Sequence, residues 1–149
     1  MIPYQKEKIE NAICYFAAEH RKKTRQLLYQ TFLYKYLALL DFGYFKKYGQ
    51  PVLNMTYRAM ERGPVPLDIY NHRDDPTFSS LFKFQKDSEN RYTVIPKTSP
   101  NLDYFSKREV EFMEKLIEIY AQSYVSAKLM SDVSHQEIQA WRRTWARKE

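Results

Sequence analysis

The sequence contains a single cysteine, Cys14, among its 149 residues, and it contains only three glycines. One thiol cannot form a disulfide within the chain, and alone it cannot build a thiolate metal site. We expect Cys14 to be a buried thiol in a reducing compartment. Gly43, Gly49 and Gly63 stand far apart, so the clustered glycines of a phosphate-binding loop are missing.

A long apolar run is missing as well. No stretch approaches the ~20 apolar residues that a membrane-spanning helix needs. Residues 1–7 lack the basic start and the apolar stretch of a signal peptide. These absences predict a cytoplasmic protein with no membrane partner. The length predicts a single domain over residues 1–149, and the 16% of aromatic residues can supply its core.

The net charge of +6 comes from two short clusters of basic residues. One is Arg21–Arg25, and the other is a basic tail at residues 142–149. Without the eight Lys and Arg of these clusters, 16 remain against 18 Asp and Glu, so the rest of the chain is slightly acidic. Two interpretations stay open. The clusters are an ordinary solvated loop and tail, or they steer an acidic partner such as nucleic acid.

Hydrophobic periodicity predicts two helices in the first third of the chain. The first covers residues 6–20, and the basic cluster then ends it and forms a connection. Thr24 is predicted to cap a second helix that continues to Tyr44. This helix is apolar nearly all round, which is typical of a central, buried element. Gly49 and Pro51 predict where it stops.

The middle of the chain predicts shorter elements. Residues 55–60 fit either a short strand or a helical turn. Gly63–Pro66 predicts a rigid, extended elbow because its two prolines fix φ. A short helix is expected from Leu67 to Tyr70. Two alternating runs, Leu81–Gln85 and Tyr92–Ile95, flank a polar turn and predict a β-hairpin.

The last third is predicted to be helical again. Ser106 and Glu109 have the spacing of a capping box, which marks a helix start. Ser134 and Glu137 repeat this spacing and predict a final helix through Trp141. The predicted fold class is therefore mainly α (α+β): a helical bundle with a small β-hairpin on one side.

Residues suited to catalysis are few. The histidines do not show the His-Glu-x-x-His spacing of a zinc-binding helix. His72, Asp74 and Asp75 together could hold a cation, but a solvated turn before a proline explains them equally well. Asp41 is a candidate buried carboxylate, and its alternative role is to cap a neighbouring helix or to pair with Arg or Lys. We therefore expect no enzymatic activity and no cofactor.

Three segments carry a recognisable pattern in a fixed order. They are Tyr36–Pro51, which closes on Tyr-Gly-Gln-Pro, Tyr57–Pro66, which closes on Gly-Pro-Val-Pro, and Leu129–His135, which Trp141 follows. Together they resemble the Panacea domain family, also described as SocA-like antitoxins or phage-associated GepA-like proteins. The resemblance covers about residues 25–141 and leaves the basic tail outside.

The resemblance implies an antitoxin whose partner is a cognate toxin protein. Such a protein neutralises its toxin by direct binding, or it acts as an adaptor to a bacterial protease or chaperone. Neither mode needs a catalytic centre. The candidate partner-binding residues combine the family motifs with side-chain types common in binding hot spots. They are Tyr57, Gly63, Pro64, Val65, His135, Trp141, Arg142, Arg143 and Trp145.

Three alternatives stay open beside this interpretation. The Gly63–Pro66 elbow, His135 and Trp141 can define the fold itself rather than contact a partner. Surplus exposed aromatic side chains can form a homodimer. The two basic clusters can bind nucleic acid, as an autoregulatory module would.

Overall fold

The computed structural model describes residues 2–60 and 63–122. The helical elements are α1 (Gln5–Thr24), α2 (Gln30–Ala38), a π-helical turn (Leu39–Gly43), α3 (Tyr44–Tyr48), α4 (Leu67–His72), a 3-10 turn (Leu102–Tyr104) and α5 (Lys107–Tyr120). The strands are β1 (Leu28–Tyr29), β2 (Tyr57–Met60), β3 (Gly63–Pro66), β4 (Phe82–Lys86) and β5 (Tyr92–Pro96). The predicted final helix and its capping box at Ser134 lie outside the described residues.

Helix α1 is longer than the sequence pattern predicts because the basic cluster belongs to it. Arg21–Lys23 lie in its last turn, where cations interact favourably with the free carbonyl groups of a helix C-terminus. The helix ends at Arg25, whose backbone is left-handed with a φ of 62°. The Thr24 hydroxyl donates to the His20 carbonyl at 2.8 Å, within α1. The predictions of a basic connecting loop and of a Thr24 cap for the next helix are therefore wrong.

The second helical segment begins later than predicted and contains the π-helical turn. Residues 28 and 29 form β1, so α2 starts at Gln30. From there α2, the π-helical turn and α3 follow one another without a break. The segment ends at Gly49, whose φ of 80° confirms the predicted stop. A Cβ atom at Gly43 would lie 3.1 Å from Phe112 Cζ, so the missing side chain lets α5 pack closely against the π-helical turn.

Two small antiparallel sheets accompany the helices. Strands β4 and β5 pair along their whole length, which confirms the predicted hairpin. Strand β1 adds to this hairpin through the pairing of Leu28 with Val94. Strands β2 and β3 form the second sheet. The α+β class is confirmed. The predicted helical bundle with one hairpin is not confirmed. Residues 28 and 29, which are predicted to be helical, and residues 57–60, for which a strand and a helical turn both fit the sequence, form additional strands.

The core lies between the helices α1, α2 and α5 and the sheet of β1, β5 and β4, which contributes the buried side chains of Leu28, Val94 and Phe82. Phe16 and Tyr36 are fully buried and stack with their ring centroids 4.7 Å apart. Met113 and Ile117 of α5 belong to the same buried cluster, and Cys14 is buried as expected. Within residues 2–60 and 63–122, no helix is both long and apolar enough to cross a membrane.

Glu109 connects the start of α5 to α1. The predicted capping box is confirmed: the Ser106 hydroxyl accepts from the Glu109 N–H at 3.1 Å, and Glu109 Oε1 accepts from the Ser106 N–H at 2.8 Å. The second carboxylate oxygen, Oε2, lies 2.9 Å from Lys8 Nζ of α1. One side chain therefore caps α5 and pairs with a cation on the neighbouring helix.

Candidate functional site

Asp41 lies in the π-helical turn and is only 2% exposed. Its Oδ1 accepts hydrogen bonds from the N–H groups of Leu53 at 2.6 Å and Asn54 at 3.1 Å, and its Oδ2 accepts one from the Met55 N–H at 3.2 Å. The expectation of a buried carboxylate is confirmed. The alternative, a helix cap or an ion pair with Arg or Lys, is not what the described residues show, because there the backbone donors are N–H groups of the loop that follows α3.

Tyr57 opens β2 and brings a fourth donor to the same carboxylate. Its hydroxyl lies 2.8 Å from Asp41 Oδ2 and 3.0 Å from the Leu37 carbonyl oxygen. A hydroxyl has one hydrogen, so it donates to one of these acceptors at a time. The Tyr57 ring packs on Phe42 with the centroids 4.9 Å apart. The polar end of this candidate binding residue therefore points into the molecule.

Burial raises the pKa of Asp41 above its ordinary value, and the hydrogen bonds that its carboxylate accepts oppose this rise. Burial and the neighbouring carboxylate raise the pKa of Tyr57 well above its ordinary value, so Tyr57 stays a neutral donor. The four groups that donate hydrogen bonds to the Asp41 carboxylate, three backbone N–H groups and the Tyr57 hydroxyl, all belong to this chain. Chemically, this arrangement is a clamp that fixes a loop and the start of β2 to the central helical segment.

The hairpin of β2 and β3 is the element that this clamp positions. Of the two structures that the sequence allows for residues 55–60, a short strand or a helical turn, the structure has the strand, which begins at Tyr57. The extended conformation predicted for Gly63–Pro66 is confirmed, and it forms the partner strand. Gly63 has a φ of 121°, a conformation that residues with a Cβ rarely adopt. The first two residues of β3 are buried and the third, Val65, is half-buried.

A groove of about 240 Å³ lies between this hairpin and the start of α2. Met60 and Val65 of the hairpin line it, together with Tyr34 and Tyr70. The Tyr34 hydroxyl is buried and makes no hydrogen bond of good geometry in the part of the chain that the structure describes. Burial raises the pKa of Tyr34, and the Arg73 guanidinium opposes this by less. The groove is therefore a largely apolar depression beside the family motif.

A comparison with protein families identifies the family of this chain. The profile of the family described as antitoxin SocA-like, Panacea domain, matches residues 33–142. The chain belongs to this family. The resemblance seen in the sequence is thereby confirmed, and the matched range includes both Asp41 and the β2–β3 hairpin. No curated protein and no solved structure matches the chain.

The Panacea domain is named as antitoxin-like, which assigns this chain an antitoxin-type role and a toxin partner in general terms. Four of its candidate binding residues, Tyr57, Gly63, Pro64 and Val65, come together in the one hairpin. The other five lie outside the described residues, and they are His135, Trp141, Arg142, Arg143 and Trp145.

In this Panacea domain the side chains of the acidic turn after α4 form hydrogen bonds with other groups of the protein. His72 Nδ1 bonds a carbonyl oxygen one turn earlier in its own helix at 2.7 Å, and Asp74 accepts from the Tyr92 hydroxyl at 2.6 Å. Asp75 accepts from the N–H and the hydroxyl of Thr77, which lower the pKa of Asp75. Across residues 2–60 and 63–122, no three His, Cys, Asp or Glu side chains form a group that could hold a metal ion. The geometry favours the turn over the cation site.

Arg73, which sequence reasoning missed, lies beside this turn and contacts three elements. Its guanidinium lies 4.2 Å from the ring centroid of Tyr70 and 4.3 Å from that of Tyr92, and its Nη1 donates to Gln30 Oε1 at 3.2 Å. It thereby joins α4, β5 and α2. The arginine alone gives no signal for this role, because the contacts depend on residues that are distant in the sequence.

Proposed function

We propose that this Panacea domain is an antitoxin that neutralises a cognate toxin protein by direct protein–protein binding. The family match over residues 33–142 is the observation that carries the proposal. The contacts of the described residues support it, because a binding surface is effective when it is held in one shape before the partner arrives. The Asp41 clamp holds the β2–β3 hairpin, and the Lys8–Glu109 ion pair joins α1 to α5.

We also propose that the protein acts without catalysis. Neutralisation by binding needs no reacting group, and the candidate groups already have structural partners. Asp41 receives three N–H groups and a hydroxyl. Asp74 and Asp75 bond Tyr92 and Thr77. Burial raises the pKa of the Cys14 thiol, which disfavours the reactive thiolate.

Co-expression tests the antitoxin proposal. Each gene that flanks the coding sequence is induced in a bacterial host, with and without this protein, while growth is followed. We expect one flanking product to arrest growth and this protein to restore it. The amount of this protein is measured in every strain as the control for expression. If no flanking product is toxic, or if well-expressed protein fails to restore growth, the proposal is overturned.

Co-purification and toxin turnover then separate neutralisation by binding from delivery to a protease. Direct neutralisation predicts a stable complex and an unchanged toxin half-life in the cell. An adaptor would shorten the toxin half-life in the normal host but not in a host that lacks the protease. A shortened, protease-dependent half-life would therefore replace the first mechanism with the second.

Nucleic-acid binding is the second candidate function, and the position of the Arg21–Arg25 cluster favours it. Its basic side chains are exposed at the end of α1. Lys22 lies 3.4 Å from Glu19 Oε1, and the exposed cluster as a whole can contact phosphate groups. Binding through phosphate contacts weakens steeply as salt rises. Fluorescence anisotropy with a labelled duplex at low and physiological salt measures this. Arg21, Lys22 and Lys23 changed together to Ala provide the comparison, and no binding at low salt rejects the idea.

A further inference from the structure

The prolines of β3 determine which backbone groups form hydrogen bonds between the two strands of the hairpin. Antiparallel pairs alternate between those that exchange two hydrogen bonds and those that exchange none. Ala59 is opposite Pro64 and Tyr57 is opposite Pro66, and proline has no N–H to donate. These two pairs are therefore the non-bonded ones. The bonded pairs are Arg58 with Val65 and Met60 with Gly63.

The same alternation leaves the two outer edges of the hairpin unlike each other. On β3 the outward positions are Pro64 and Pro66, so this edge has no N–H donor, and it packs against α2. On β2 the outward positions are Tyr57 and Ala59, which keep both N–H and C=O groups. No backbone partner for Ala59 beyond its own hairpin is found in the described ranges. In the part of the chain that the structure describes, the β2 side is therefore the edge at which this sheet can gain a strand.

The side chains beside the open edge define what a new strand would meet. Arg58, Ala59 and Met60 are all exposed. Arg58 shares a face of the hairpin with Val65, its cross-strand partner, and with Met60 two residues on. No ion pair of Arg58 occurs among residues 2–60 and 63–122. Within the described ranges, this face therefore offers the exposed Arg58 guanidinium, without an ion-pair partner, next to the apolar groove that Met60 and Val65 line.

We propose that an extended segment of the toxin adds to the outer edge of β2 as a third strand of this sheet. Its backbone pairs with the N–H and C=O groups of Tyr57 and Ala59, as in other cases of strand addition. An acidic side chain of the segment lies opposite Arg58, and an apolar side chain enters the groove beside Met60. This inference rests on the proposed antitoxin function, since it names the surface that the toxin uses.

Charge favours the toxin segment over a second copy of this chain. A symmetric pair of β2 strands centred on Arg58 would place two guanidinium groups directly opposite each other, and like charges at such positions are destabilising. An acidic segment gains the opposite interaction. A dimer with a different register remains an outcome that the test must detect.

Ala59→Pro tests the proposal because it removes one outward N–H and none of the bonds inside the hairpin. Proline is tolerated on an edge strand whose N–H faces solvent. The matched control is Ala59→Val, which adds bulk but keeps the N–H. The probe is the flanking-gene toxin identified by growth rescue, and its affinity is measured by calorimetry. We expect Ala59→Pro to weaken binding at least about tenfold and Ala59→Val to leave it within about threefold.

Arg58→Glu and hydrogen exchange give independent readouts. We expect Arg58→Glu to weaken toxin binding by about two- to fivefold. In the wild-type complex, the Tyr57 and Ala59 amides should become protected from exchange, and this result stands even if Ala59→Pro fails to fold. Unprotected amides, or wild-type affinity in a folded Ala59→Pro, would overturn the inference while the antitoxin function stands. If no flanking product is toxic, both proposals fall.

A second copy at this edge has its own signature. If Ala59→Pro converts a dimer into a monomer in light scattering and leaves toxin affinity unchanged, this chain itself occupies the edge. That result would also overturn the inference.

Discussion

The Tyr57 hydroxyl lies 2.8 Å from Asp41 Oδ2, which ties the π-helical turn to the first residue of β2. Three loop N–H groups converge on the same carboxylate. Because Asp41 is only 2% exposed, little water can replace it as an acceptor. Buried donors without an acceptor are costly, so one side chain controls both the loop and the hairpin that follows.

Asp41→Ala is expected to lower the free energy of unfolding by about 3 kcal/mol, because it leaves buried N–H groups unpaired and removes packed atoms. Asp41→Asn is expected to cost about half as much. Its remaining oxygen can still accept from Leu53 and Asn54, so the Met55 N–H loses its acceptor. The Tyr57 hydroxyl loses Oδ2 as well but can donate to the Leu37 carbonyl oxygen instead. Urea denaturation of the three proteins measures these differences.

Tyr57→Phe is the matched control for the Asp41 variants. It removes the hydroxyl and keeps the ring on Phe42, so we expect a loss of about 1 kcal/mol. If Asp41→Ala cost no more than Tyr57→Phe, the loop N–H groups would not depend on the carboxylate.

Local signals in the sequence predict the ends of helices well. The Ser106–Glu109 capping box and the stop at Gly49 are both confirmed, because each acts within one turn of the chain. The start that the sequence predicts for α2 is too early, because α2 begins at Gln30. Leu28 fits the apolar pattern of a helix, but it pairs with Val94 of β5, which local periodicity cannot detect.

The candidate site could be predicted only in part. Asp41 stands out as a carboxylate among apolar residues, but its donors are backbone N–H groups, which leave no mark in the sequence. The extended form of Gly63–Pro66 follows from the prolines. Its pairing with β2 required the register of the hairpin, which decides which edge of the sheet is open.

The ion pair of Lys8 and Glu109 gives a second test. Its atoms are 2.9 Å apart, and the two side chains are 9% and 12% exposed. Lys8→Met is expected to cost about 2–3 kcal/mol, because the Glu109 charge loses its partner in a poorly hydrated place. Adding Glu109→Gln should recover part of this loss, since Gln can still complete the capping box with Ser106. Urea denaturation of all four proteins completes the double-mutant cycle.

We expect a coupling energy of about 1–2 kcal/mol between Lys8 and Glu109. Strictly additive losses in the single and double variants would show that the pair contributes no interaction of its own.

Gly49 gives a test of backbone strain without a packing effect. Its φ is 80°, and among the described residues no atom beyond Gly49 and its two chain neighbours lies within 4 Å of the position that a Cβ would take. Gly49→Ala is therefore expected to cost about 1 kcal/mol through the left-handed backbone alone. Gly49→Asn should cost less, because Asn adopts this conformation more readily. Thermal unfolding measures both, and an Ala variant as stable as the wild type would contradict the assignment.

His20 is expected to make the stability of the core dependent on pH. It is 8% exposed, and its Nδ1 lies 3.0 Å from the Tyr36 hydroxyl. Burial lowers the pKa of His20 to about 4. In the unfolded chain the imidazole has its ordinary pKa of about 6.5 and takes up a proton there. The stability from neutral, buried His20 is therefore fully present above about pH 6.5 and is lost as the pH falls towards about 4.

We expect His20 to contribute a loss of about 2 kcal/mol between about pH 7 and about pH 4.5. His20→Gln is the matched control, because its amide can bond Tyr36 but does not titrate in this range. The carboxylates titrate in both proteins, so their contribution cancels in the comparison. Urea denaturation at the two pH values measures the difference. Equal pH dependence in the wild type and His20→Gln would mean that His20 is protonated in the folded core, and the assignment of a neutral imidazole would fall.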